Sequence, residues 1–484
     1  MREPGDILLL STYELGHPPL ALAVPLAFLE RAGFRPVAQD LAVARLDEAA
    51  VRRARLVAIS VPMHTALRLG VRAAERVRAL NPEAHLVCYG LYAPLNAEYL
   101  LAPAVGVGAA ARPRFDAVLG GECEAELVAL AERLERGEAF EPGPGSGPGP
   151  GPSPGPGYIR PALVRLDFPV PSRAQLPPLE RYAHLEIGEE ARPSGYTEAS
   201  RGCKHLCRHC PIPPVYGGRF FVVPVEVVLA DVRQQVAQGA RHVTLGDADF
   251  LNGPGHALRL LRALHAEFPA LTFDATIKVE HILAQRRLFP EMARLGLVLV
   301  TSAVESVSEE VLRILDKGHT RADVVEALRV LRAVGVALRP SLLPFTPWSS
   351  LADYLDLLEF LVAHDLVDAV DPVQLSIRLL VPPGSLLLER PEMRPHLGDL
   401  DAAALSYQWR HPDPRMDELQ RRVSVLVEEA ARKKEEPHQT FDRLARLAHH
   451  TAGHPEGFLG DRVPAPSSLP RRPRPPRLSE AWFC

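Results

Sequence analysis

Apolar and polar residues alternate in blocks along the first 140 residues, and the blocks have two different periods. Short apolar runs predict buried strands, whereas longer runs with one apolar face predict helices. The predicted strands are DILLLST, LVAISVP, HLVCYG and FDAVLGG, and the predicted helices are LALAVPLAFLERAG, VRAAERVRAL and ECEAELVALAERLERG. Strands separated by helices indicate a parallel sheet covered on both faces. We therefore predict a doubly wound, Rossmann-like α/β domain over residues 1–140, with ligands at the carboxyl ends of its strands.

A stretch of only Pro, Gly and Ser, PGPGSGPGPGPSPGPG, runs from Pro142 to Gly157. This composition forms neither a helix nor a packed strand, so we predict a linker at residues 141–158. A proline-rich ligand for a partner domain is the alternative, but the stretch lacks aromatic or basic residues that would make it specific.

A second alternating series occupies residues 159–390. Its predicted strands are GYTEAS, HVTLG, LTFDATIK, LVLVTSAVE, VALRPSLLP and VQLSIRLLV. Thr320 and Asp323 have the spacing of a capping box, and Ser350 is the predicted N-cap of LADYLDLLEFLVAH. Six strand–helix units predict a partial (β/α)6 barrel, in which chemistry lies on the loops at the carboxyl ends of the strands.

The last region, residues 391–484, has a different pattern. ELQRRVSVLVEEAARKKEE and FDRLARLAHHTAG are charged and predict helices, so we expect a helical C-terminal region. VPAPSSLPRRPRPPRL is rich in Pro and Arg, and we expect an extended or disordered tail there.

The bulk composition is that of an ordinary globular protein, with 484 residues, 47% apolar residues, 24% charged residues and a net charge of −4. This balance gives no general attraction to nucleic acid or to an anionic membrane. The apolar runs are too short for a membrane helix, and the N-terminus lacks the pattern of a secretory signal. We therefore expect a cytoplasmic protein without a nucleic-acid or membrane partner.

Three of the six cysteines lie within RGCKHLCRHC, at Cys203, Cys207 and Cys210. Six cysteines in so long a chain do not form a disulfide scaffold, so the cluster indicates metal binding or catalysis. Structural zinc usually takes four ligands in two separated pairs, and this triplet has no second CxxC motif. His205 and His209 lie inside the cluster, but such close neighbours seldom all reach one ion. Zinc and unliganded cysteine remain alternatives to an iron–sulfur cluster, which thiolates suit.

The CxxxCxxC spacing after a barrel strand resembles that of the radical S-adenosylmethionine (SAM) superfamily. The resemblance implies a [4Fe–4S] cluster on Cys203, Cys207 and Cys210, with one iron open to the amino and carboxylate groups of SAM. It also implies reductive cleavage of SAM to a 5′-deoxyadenosyl radical, with an electron from a small donor such as flavodoxin or ferredoxin. The superfamily usually has an aromatic residue before the third cysteine. This chain has His209 there, and its imidazole can also pack against adenine.

The same resemblance assigns further SAM contacts by their place in the barrel. Asp247 and Asp249, in GDAD, follow the second strand, where the superfamily often has Gly-Gly-Glu in contact with the SAM amino group. Lys278, at the end of the third strand, would meet the SAM carboxylate or the substrate. Ser302 and Glu305, at the end of the fourth, fall where the ribose hydroxyls are bound. For each residue, the alternative is a polar strand end that faces solvent.

Two arginines, Arg339 and Arg378, lie on the fifth and sixth predicted strands. A buried arginine needs a partner, so these residues are candidates for binding an anionic substrate or for core salt bridges.

A doubly wound domain ahead of a radical SAM barrel resembles the cobalamin-binding branch of the superfamily, whose members place a corrinoid over the barrel mouth, often for methyl transfer. The Asp-x-His-x-x-Gly signature of the cobalt ligand is absent from this chain. His64, in SVPMHTALRLG, follows the second predicted strand without the matching Asp and Gly. Many members of the branch lack this ligand, so cobalamin stays an open cofactor, although a lone loop histidine is more often a surface residue.

Several segments resemble the CUAEP/CCAEP-tail radical SAM (seleno)protein group, namely TEASRGCKHLCRHCPIPPVYGGRF, GDADFLNGPGHAL, IKVEHIL, SAVES, LDKGHT, LPFTPW, SIRLLVPPGS and HPDPRMD. The group is named for a C-terminal Cys-selenocysteine-Ala-Glu-Pro or Cys-Cys-Ala-Glu-Pro tail, and this sequence stops at SEAWFC. We expect Cys484 to be the first tail residue, followed by a selenocysteine codon that was taken as a stop. A genuine terminus with an exposed cysteine is the alternative.

The sequence therefore predicts a radical SAM enzyme that acts on an unknown small molecule or peptide. A cobalamin-dependent radical SAM methyltransferase is the alternative within the same class. An iron–sulfur or metal-binding redox protein that does not cleave SAM is the alternative from another class.

Overall fold

The computed structural model describes residues 1–103, 113–138, 157–158, 163–454 and 474–479. The predicted linker falls almost entirely outside the described residues, and so do most of the Pro- and Arg-rich tail and Cys484. No helix within the described ranges is both long enough and apolar enough to cross a membrane.

The first sheet has five parallel strands in the order β2-β1-β3-β4-β5. The strands are β1 (Ile7–Ser11), β2 (Val37–Asp40), β3 (Leu56–Ser60), β4 (His85–Tyr89) and β5 (Ala117–Leu119). The helices are α1 (Leu20–Arg31), α2 (Glu48–Arg53), α3 (His64–Leu80), α4 (Tyr92–Leu95), α5 (Ala97–Leu101) and α6 (Glu124–Glu135). Apolar residues from α1 and α6 cover one face, and residues from α2 to α5 cover the other. This order confirms the doubly wound fold and puts its switch point between β1 and β3.

The second sheet is the barrel, in the order β13-β12-β11-β10-β7-β6-β16. Its elements up to residue 222 are β6 (His184–Ile187), β7 (Glu190–Thr197), β8 (Ser200–Gly202), α7 (Ile212–Tyr216) and β9 (Phe220–Val222). The following strands are β10 (His242–Leu245), β11 (Thr272–Thr276), β12 (Leu297–Glu305) and β13 (Ala337–Leu342). The helices are α8 (Val225–Ala237), α9 (Pro254–Glu267), α10 (Val279–Ala284), α11 (Phe289–Arg294), α12 (Glu309–Leu315), α13 (Arg321–Arg332) and α14 (Leu351–Ala363). Strands β7, β10, β11, β12 and β13 are parallel, and both predicted capping boxes, at Thr320 and Ser350, are present.

The predicted sixth barrel strand, VQLSIRLLV, is wrong as a strand. The segment begins as a 3-10 helix at Pro372–Ser376, and one parallel bridge joins Phe345 to Arg378. The Gln374 side chain accepts the backbone N–H of Leu342 (3.0 Å). That N–H is the donor that a sixth strand would have paired, so a side chain replaces the ladder at this edge.

The C-terminal region is helical as predicted, but it also holds a hairpin that the sequence did not indicate. Its elements are β14 (Leu397–Asp401), β15 (Ser406–Trp409), α15 (Pro414–Lys433), α16 (Pro437–Thr451) and β16 (Arg477–Leu478). The end of the Pro- and Arg-rich segment is ordered as β16, which pairs antiparallel with β6. The N–H of Ser479 adds a hydrogen bond to the carbonyl of His184 (2.9 Å).

Candidate active site

The loop with the three cysteines starts from a short two-stranded ribbon. Strand β8 pairs antiparallel with β9, and the N–H of Cys203 donates to the carbonyl of Arg219 (3.1 Å). Gly202 has φ of +78°, and a Cβ there would lie 2.5 Å from the Arg219 oxygen. Glycine alone tolerates both this conformation and this approach. These backbone contacts therefore fix the position of the first cysteine.

The far end of the loop is anchored to the end of α12. The N–H of Arg208 donates to the Leu315 carbonyl (3.0 Å), and its guanidinium donates to the Ile314 carbonyl (2.9 Å). The N–H of Cys210 donates to the Cys207 carbonyl (3.2 Å), which turns the chain between the second and third cysteines. The loop is thus held on both sides at the carboxyl end of the barrel.

Acidic residues of the first domain bind the residues that flank this loop. Arg201, two residues before the first cysteine, places its guanidinium 2.6 Å from Glu124 Oε1 and 3.4 Å from Glu122 Oε2. The Tyr216 hydroxyl donates to Glu122 Oε1 (2.9 Å). These charges are buried, and breaking a buried pair is costly because one charge loses its partner. The two domains therefore meet through a specific polar contact next to the cysteine loop.

The environment of the thiols fits an iron–sulfur cluster. Burial raises the pKa of Cys203, and it raises the pKa of Cys210 to about 12. Metal ligation requires the thiolate, so buried thiols ionise here only with a strongly positive partner, which a cluster provides. The other described cysteines, Cys88 and Cys123, are buried in the core of the first domain. The donor set on this loop is therefore three thiols, which leaves one iron of a cubane cluster without a protein sulfur.

A buried ion network lies beside the cysteine loop. Glu305 ends β12 in the left-handed conformation (φ +64°). Its Oε1 atom lies 3.1 Å from His209 Nε2 and 3.3 Å from Lys317 Nζ. Burial alone would raise the pKa of Glu305, but Lys317 and His209 outweigh it and lower the pKa to about 2. Glu305 is therefore an ionised side chain held between two partners, and His209 Nδ1 has no hydrogen bond to the described residues.

Ser302 and Asp247 differ in whether their buried side chains have hydrogen-bond partners. Ser302, on β12, is fully buried, and its hydroxyl has no partner within the described ranges. Buried hydroxyls are nearly always hydrogen-bonded, so this one is suited to a bound ligand. Asp247 already accepts from the Ser200 hydroxyl (2.5 Å) and the Ala199 N–H (2.9 Å), and burial raises its pKa to about 6. Asp247 thereby holds Ala199 and Ser200, the residues that lead into the cysteine loop, in place.

The remaining predicted contacts, Asp249 and Lys278, come together with two histidines. Asp249 Oδ2 lies 2.6 Å from His281 Nδ1 and 3.5 Å from His205 Nε2. Lys278 Nζ lies 3.2 Å from His205 Nδ1 and 2.9 Å from Glu280 Oε2. Burial alone would raise the pKa of Asp249, but the two histidines lower it. The structure thus brings Asp249 and Lys278 to one place, beside His205 of the cysteine loop.

Four residues of this region received no role from the sequence: His205, Asn252, His281 and Lys317. Asn252 Oδ1 lies 3.8 Å from Cys203 Sγ and accepts the N–H of Lys204 (3.4 Å). His205 was named in the sequence as a neighbour of the cysteines that seldom reaches the same ion. The other three residues lie in segments quoted only for their resemblance, such as LDKGHT for Lys317 and IKVEHIL for His281. A lysine between a helix end and a glycine was the available signal for Lys317.

The two arginines considered for an anionic substrate have partners within the chain. Arg339 is bonded to Asp371. Arg378 donates to Asp417 Oδ1 (2.6 Å) and to the Trp409 carbonyl (2.7 Å), and it stacks on the Trp409 ring. Both form structural salt bridges, which was the second of the two expectations.

Comparison with known families decides the class of this site. Residues 197–358 match the family model of the radical SAM superfamily. These residues form a radical SAM domain. The match confirms the class that the cysteine spacing predicted, supports an enzyme, and implies a [4Fe–4S] cluster and SAM as its cofactors. It covers Cys203, Cys207 and Cys210 and the carboxyl ends of β7, β10, β11, β12 and β13.

One curated relative is the tRNA-2-methylthio-N(6)-dimethylallyladenosine synthase of Alkalilimnicola ehrlichii. The two proteins are 25% identical over 199 residues, which is 39% of this chain and 44% of the relative. The chain therefore spans less than half the length of this relative, and the likeness is confined to part of each protein.

Two solved structures share the fold over most of this chain. The radical SAM methyltransferase TsrM from Kitasatospora setae, with cobalamin and a [4Fe–4S] cluster bound, has a TM-score of 0.56 at 18% identity and covers 75% of this chain and 71% of its own. The cobalamin-dependent SAM radical enzyme OxsB, with aqua-cobalamin bound, has a TM-score of 0.65 at 14% identity and covers 92% of this chain and 71% of its own. At these identities the likeness shows the fold alone.

The switch point of the first sheet is where a corrinoid would be expected, because doubly wound domains bind ligands there. Here the Thr12 hydroxyl donates to the Ala66 carbonyl (3.0 Å) across this point. His64 Nε2 lies 2.7 Å from the Ala404 carbonyl, at the turn of the β14–β15 hairpin. The neighbouring Leu405 is 3% exposed and belongs to the apolar core of the first domain. His64 is therefore a buried contact to the hairpin and is not directed at a cobalt ion.

The loops after β1 and β2 are closed in the same way. The His17 ring stacks on Tyr196 of β7, with 4.6 Å between the centroids. The Tyr182 hydroxyl donates to Asp40 Oδ2 at the end of β2 (2.9 Å). The residues at this edge, as they stand, do not fit a corrinoid, because the chain's own hairpin and barrel fill the edge of the sheet.

Proposed function

We propose that this protein is a radical SAM enzyme that reductively cleaves SAM at a [4Fe–4S] cluster on Cys203, Cys207 and Cys210. The observation that carries the proposal is the set of three thiols, one buried and two half-buried, on a loop anchored at both ends at the mouth of a radical SAM domain. When bound, the reduced cluster supplies the electron that breaks a carbon–sulfur bond of SAM, giving methionine and a 5′-deoxyadenosyl radical. A small electron donor, flavodoxin or ferredoxin, is the proposed partner.

The chain's own residues would bind and orient SAM. We assign His209 to the adenine, because its ring is held at Nε2 by Glu305 and its Nδ1 atom remains available to a ligand. We assign Ser302 to the ribose, because its buried hydroxyl has no partner in the described chain. We assign Glu305, at the end of the same strand, to the ribose hydroxyls as well. Its carboxylate is held in place by the Lys317 ammonium. Lys278 and Asp249 would face the methionine end.

Anaerobic reconstitution tests this function. The enzyme is expected to bind about four irons per chain and to release 5′-deoxyadenosine when it is reduced with SAM present. A loaded cluster that yields no 5′-deoxyadenosine would instead favour the redox protein without SAM cleavage. A Ser302→Ala variant should keep its iron and bind SAM more weakly, which separates the SAM contact from cluster assembly.

A cobalamin-dependent radical SAM methyltransferase is the second candidate. The likeness to OxsB over 92% of this chain favours it, and the closed edge of the first sheet opposes it. Purified protein with a corrinoid absorption band, together with methyl transfer from labelled SAM, would establish this alternative. Full 5′-deoxyadenosine release from protein without that band would exclude a requirement for cobalamin.

The substrate that we propose is a small molecule or a peptide. The relative from Alkalilimnicola ehrlichii is a tRNA-modifying enzyme by its name, but the net charge of −4 gives this chain no general attraction to a polyanion. Transfer of deuterium from candidate substrates into 5′-deoxyadenosine would identify the substrate class. Labelling from tRNA rather than from peptides or metabolites would overturn this part of the proposal.

The finer resemblance, to the CUAEP/CCAEP-tail group, concerns the residues after Cys484 and is likewise a proposal. It is supported by the quoted segments, of which TEASRGCKHLCRHCPIPPVYGGRF contains the cysteine loop. The test is the coding sequence downstream. A UGA codon followed by codons for Ala-Glu-Pro is expected, and any other frame would refute it.

A further inference from the structure

A second group of metal-ligating side chains lies next to the cysteine loop. His205, Asp249 and His281 each offer one ligand atom, and these atoms all lie within 4.8 Å of one another. They come from three separate places, the cysteine loop, the end of β10 and helix α10. Their side chains are 14%, 3% and 6% exposed, respectively. Three segments that are distant in sequence thus each place one potential ligand atom at a common position with little exposure to solvent.

His205 Nε2, Asp249 Oδ2 and His281 Nδ1 have no hydrogen bond of acceptable geometry to the described residues. A buried polar atom without a partner is rare in native structures and calls for an explanation such as an ion. The buried pair of His242 and Asp274 is a useful contrast within the same barrel. There the two ring nitrogens lie 2.9 Å from Thr272 Oγ1 and 2.8 Å from Asp274 Oδ1, so both are satisfied.

We propose that His205, Asp249 and His281 bind a divalent first-row transition-metal cation beside the cluster loop. Two imidazoles and one carboxylate are a known donor set for zinc and for iron(II), and three ligands leave coordination positions open to a further ligand. The cation would also remove the cost of burying a carboxylate against two rings without good hydrogen bonds. This site uses none of the three thiols and does not depend on SAM cleavage. With the cation bound, Asp249 serves as its ligand, and Lys278 alone faces the methionine end of SAM.

Glu280 provides the outer partner that metal-bound histidines usually have. A cation at Nε2 of His205 requires the proton on Nδ1, and Glu280 Oε2 lies 3.7 Å from that atom. Lys278 Nζ lies 3.2 Å from the same nitrogen and donates to Glu280 Oε2 (2.9 Å). Because an ammonium can only donate, a proton on Nδ1 would displace Lys278 from this nitrogen and leave Glu280 as the acceptor for His205. Glu280 is therefore a positioning residue for His205 and not a ligand.

The test is a Co²⁺ titration of the full-length chain carrying Cys203→Ala, Cys207→Ala and Cys210→Ala, so that no iron–sulfur cluster contributes. We expect one equivalent of Co²⁺ to bind, with visible d–d absorption bands. Asp249→Asn and His281→Gln in that background should abolish the bands, and Glu280→Gln should weaken binding by about 10- to 100-fold. The matched control is His242→Gln, which removes a buried barrel histidine outside the group and should leave the bands unchanged.

Absence of Co²⁺ bands in the triple variant, or bands that survive Asp249→Asn and His281→Gln, would overturn the proposal. Circular dichroism of every variant checks its folding. If a ligand variant does not fold, the unmutated triad decides the question, because crystals of the triple variant with Co²⁺ should give an anomalous peak between the three side chains. A peak elsewhere alone would also refute the site. None of these readouts uses SAM, so they fail or succeed independently of the proposed enzyme activity.

Discussion

The five strands of the first sheet and the five parallel strands of the barrel obey the same topological rule but differ in the side chains at their carboxyl ends. In the first sheet, the loops after β1, β2 and β3 are bonded to the barrel, to the hairpin or to each other. In the barrel, His209 Nδ1, the Ser302 hydroxyl and Asp249 Oδ2 are buried without a hydrogen bond to the described residues. Topology says where a ligand can lie. Unsatisfied buried atoms occur at both edges, since Ser60 Oγ at the end of β3 and His17 Nδ1 after β1 also lack a partner among the described residues. The two edges differ in their chemistry, because in the described part of the chain the cluster of three cysteines lies at the barrel edge.

The largest expected effect is the loss of the cluster and of the product when the loop cysteines are replaced, compared with no loss when a cysteine of the first sheet is replaced. Replacing Cys203, Cys207 and Cys210 by alanine should remove the cluster and all 5′-deoxyadenosine, because no other described thiol can take their place. Cys88→Ala, in β4, should retain both, since that thiol is fully buried in the first domain. Iron content and product are measured by colorimetry and chromatography. Product from the triple variant would contradict the ligand assignment.

The second expected effect concerns stability at the barrel edge. Lys317→Met leaves the carboxylate of Glu305 buried with His209 alone, and we expect a loss of about 3–5 kcal/mol in the free energy of unfolding. Lys433→Met is the matched control, because Lys433 pairs with Glu429 at the surface of α15 and such pairs contribute under about 1 kcal/mol. Urea unfolding of the cluster-free chains measures both. Equal losses would mean that the network does not stabilise the barrel mouth.

The third effect comes from weakening the contact between the β14–β15 hairpin and the edge of the first sheet. Leu405→Ala removes a 3% exposed side chain from the core of the first domain, and we expect a loss of about 2–3 kcal/mol with unchanged iron loading. Leu400→Ala, on the same hairpin but 43% exposed, should change little. Addition of hydroxocobalamin sharpens the comparison. Binding by the parent chain, seen as a shifted corrinoid spectrum, would show that the hairpin does not close the edge.

The smallest effect is a pH dependence of the contact between the sheets. Burial lowers the pKa of His17 to about 4, with Asp274 opposing it and Arg339 and His242 adding to it. The unfolded chain takes up the proton near pH 6.5. The stability contributed by neutral His17 is therefore fully present above pH 6.5 and is lost as the pH falls toward 4, with about 2 kcal/mol lost by pH 5.

His17→Phe should abolish this part of the pH dependence and keep the stacking on Tyr196, with thermal unfolding between pH 4 and pH 7 as the measurement. His17→Gln removes the ring as well, so it should show the same flat profile at lower stability throughout. A profile for His17→Phe parallel to that of the parent chain would assign the pH dependence to other groups.

Features encoded within a few neighbouring residues were predictable from the sequence. The cysteine spacing, the capping boxes at Thr320 and Ser350, and the five parallel barrel strands each follow from local patterns. The strand β2 was missed because VAQD is only four residues long and mostly half-buried, so it has too little apolar pattern to detect. The β14–β15 hairpin was missed because GDLD and SYQ are polar for strands.

Features that depend on distant residues could not be predicted in this way. His205, Asp249 and His281 belong to three segments, and no spacing along the chain shows that their ligand atoms meet. The lost sixth strand has a similar cause, since Gln374 takes the backbone donor of Leu342, 32 residues earlier. Each miss reflects a side chain that meets a partner far away in sequence.

The pairing of β16 with β6 makes the C-terminal segment a tether. Ser479 is fixed to His184 by a backbone hydrogen bond, and Cys484 follows five residues later. Whatever their conformation, five residues span at most about 18 Å. The residues that follow Ser479 therefore depart from a fixed point at the β6 edge of the barrel sheet.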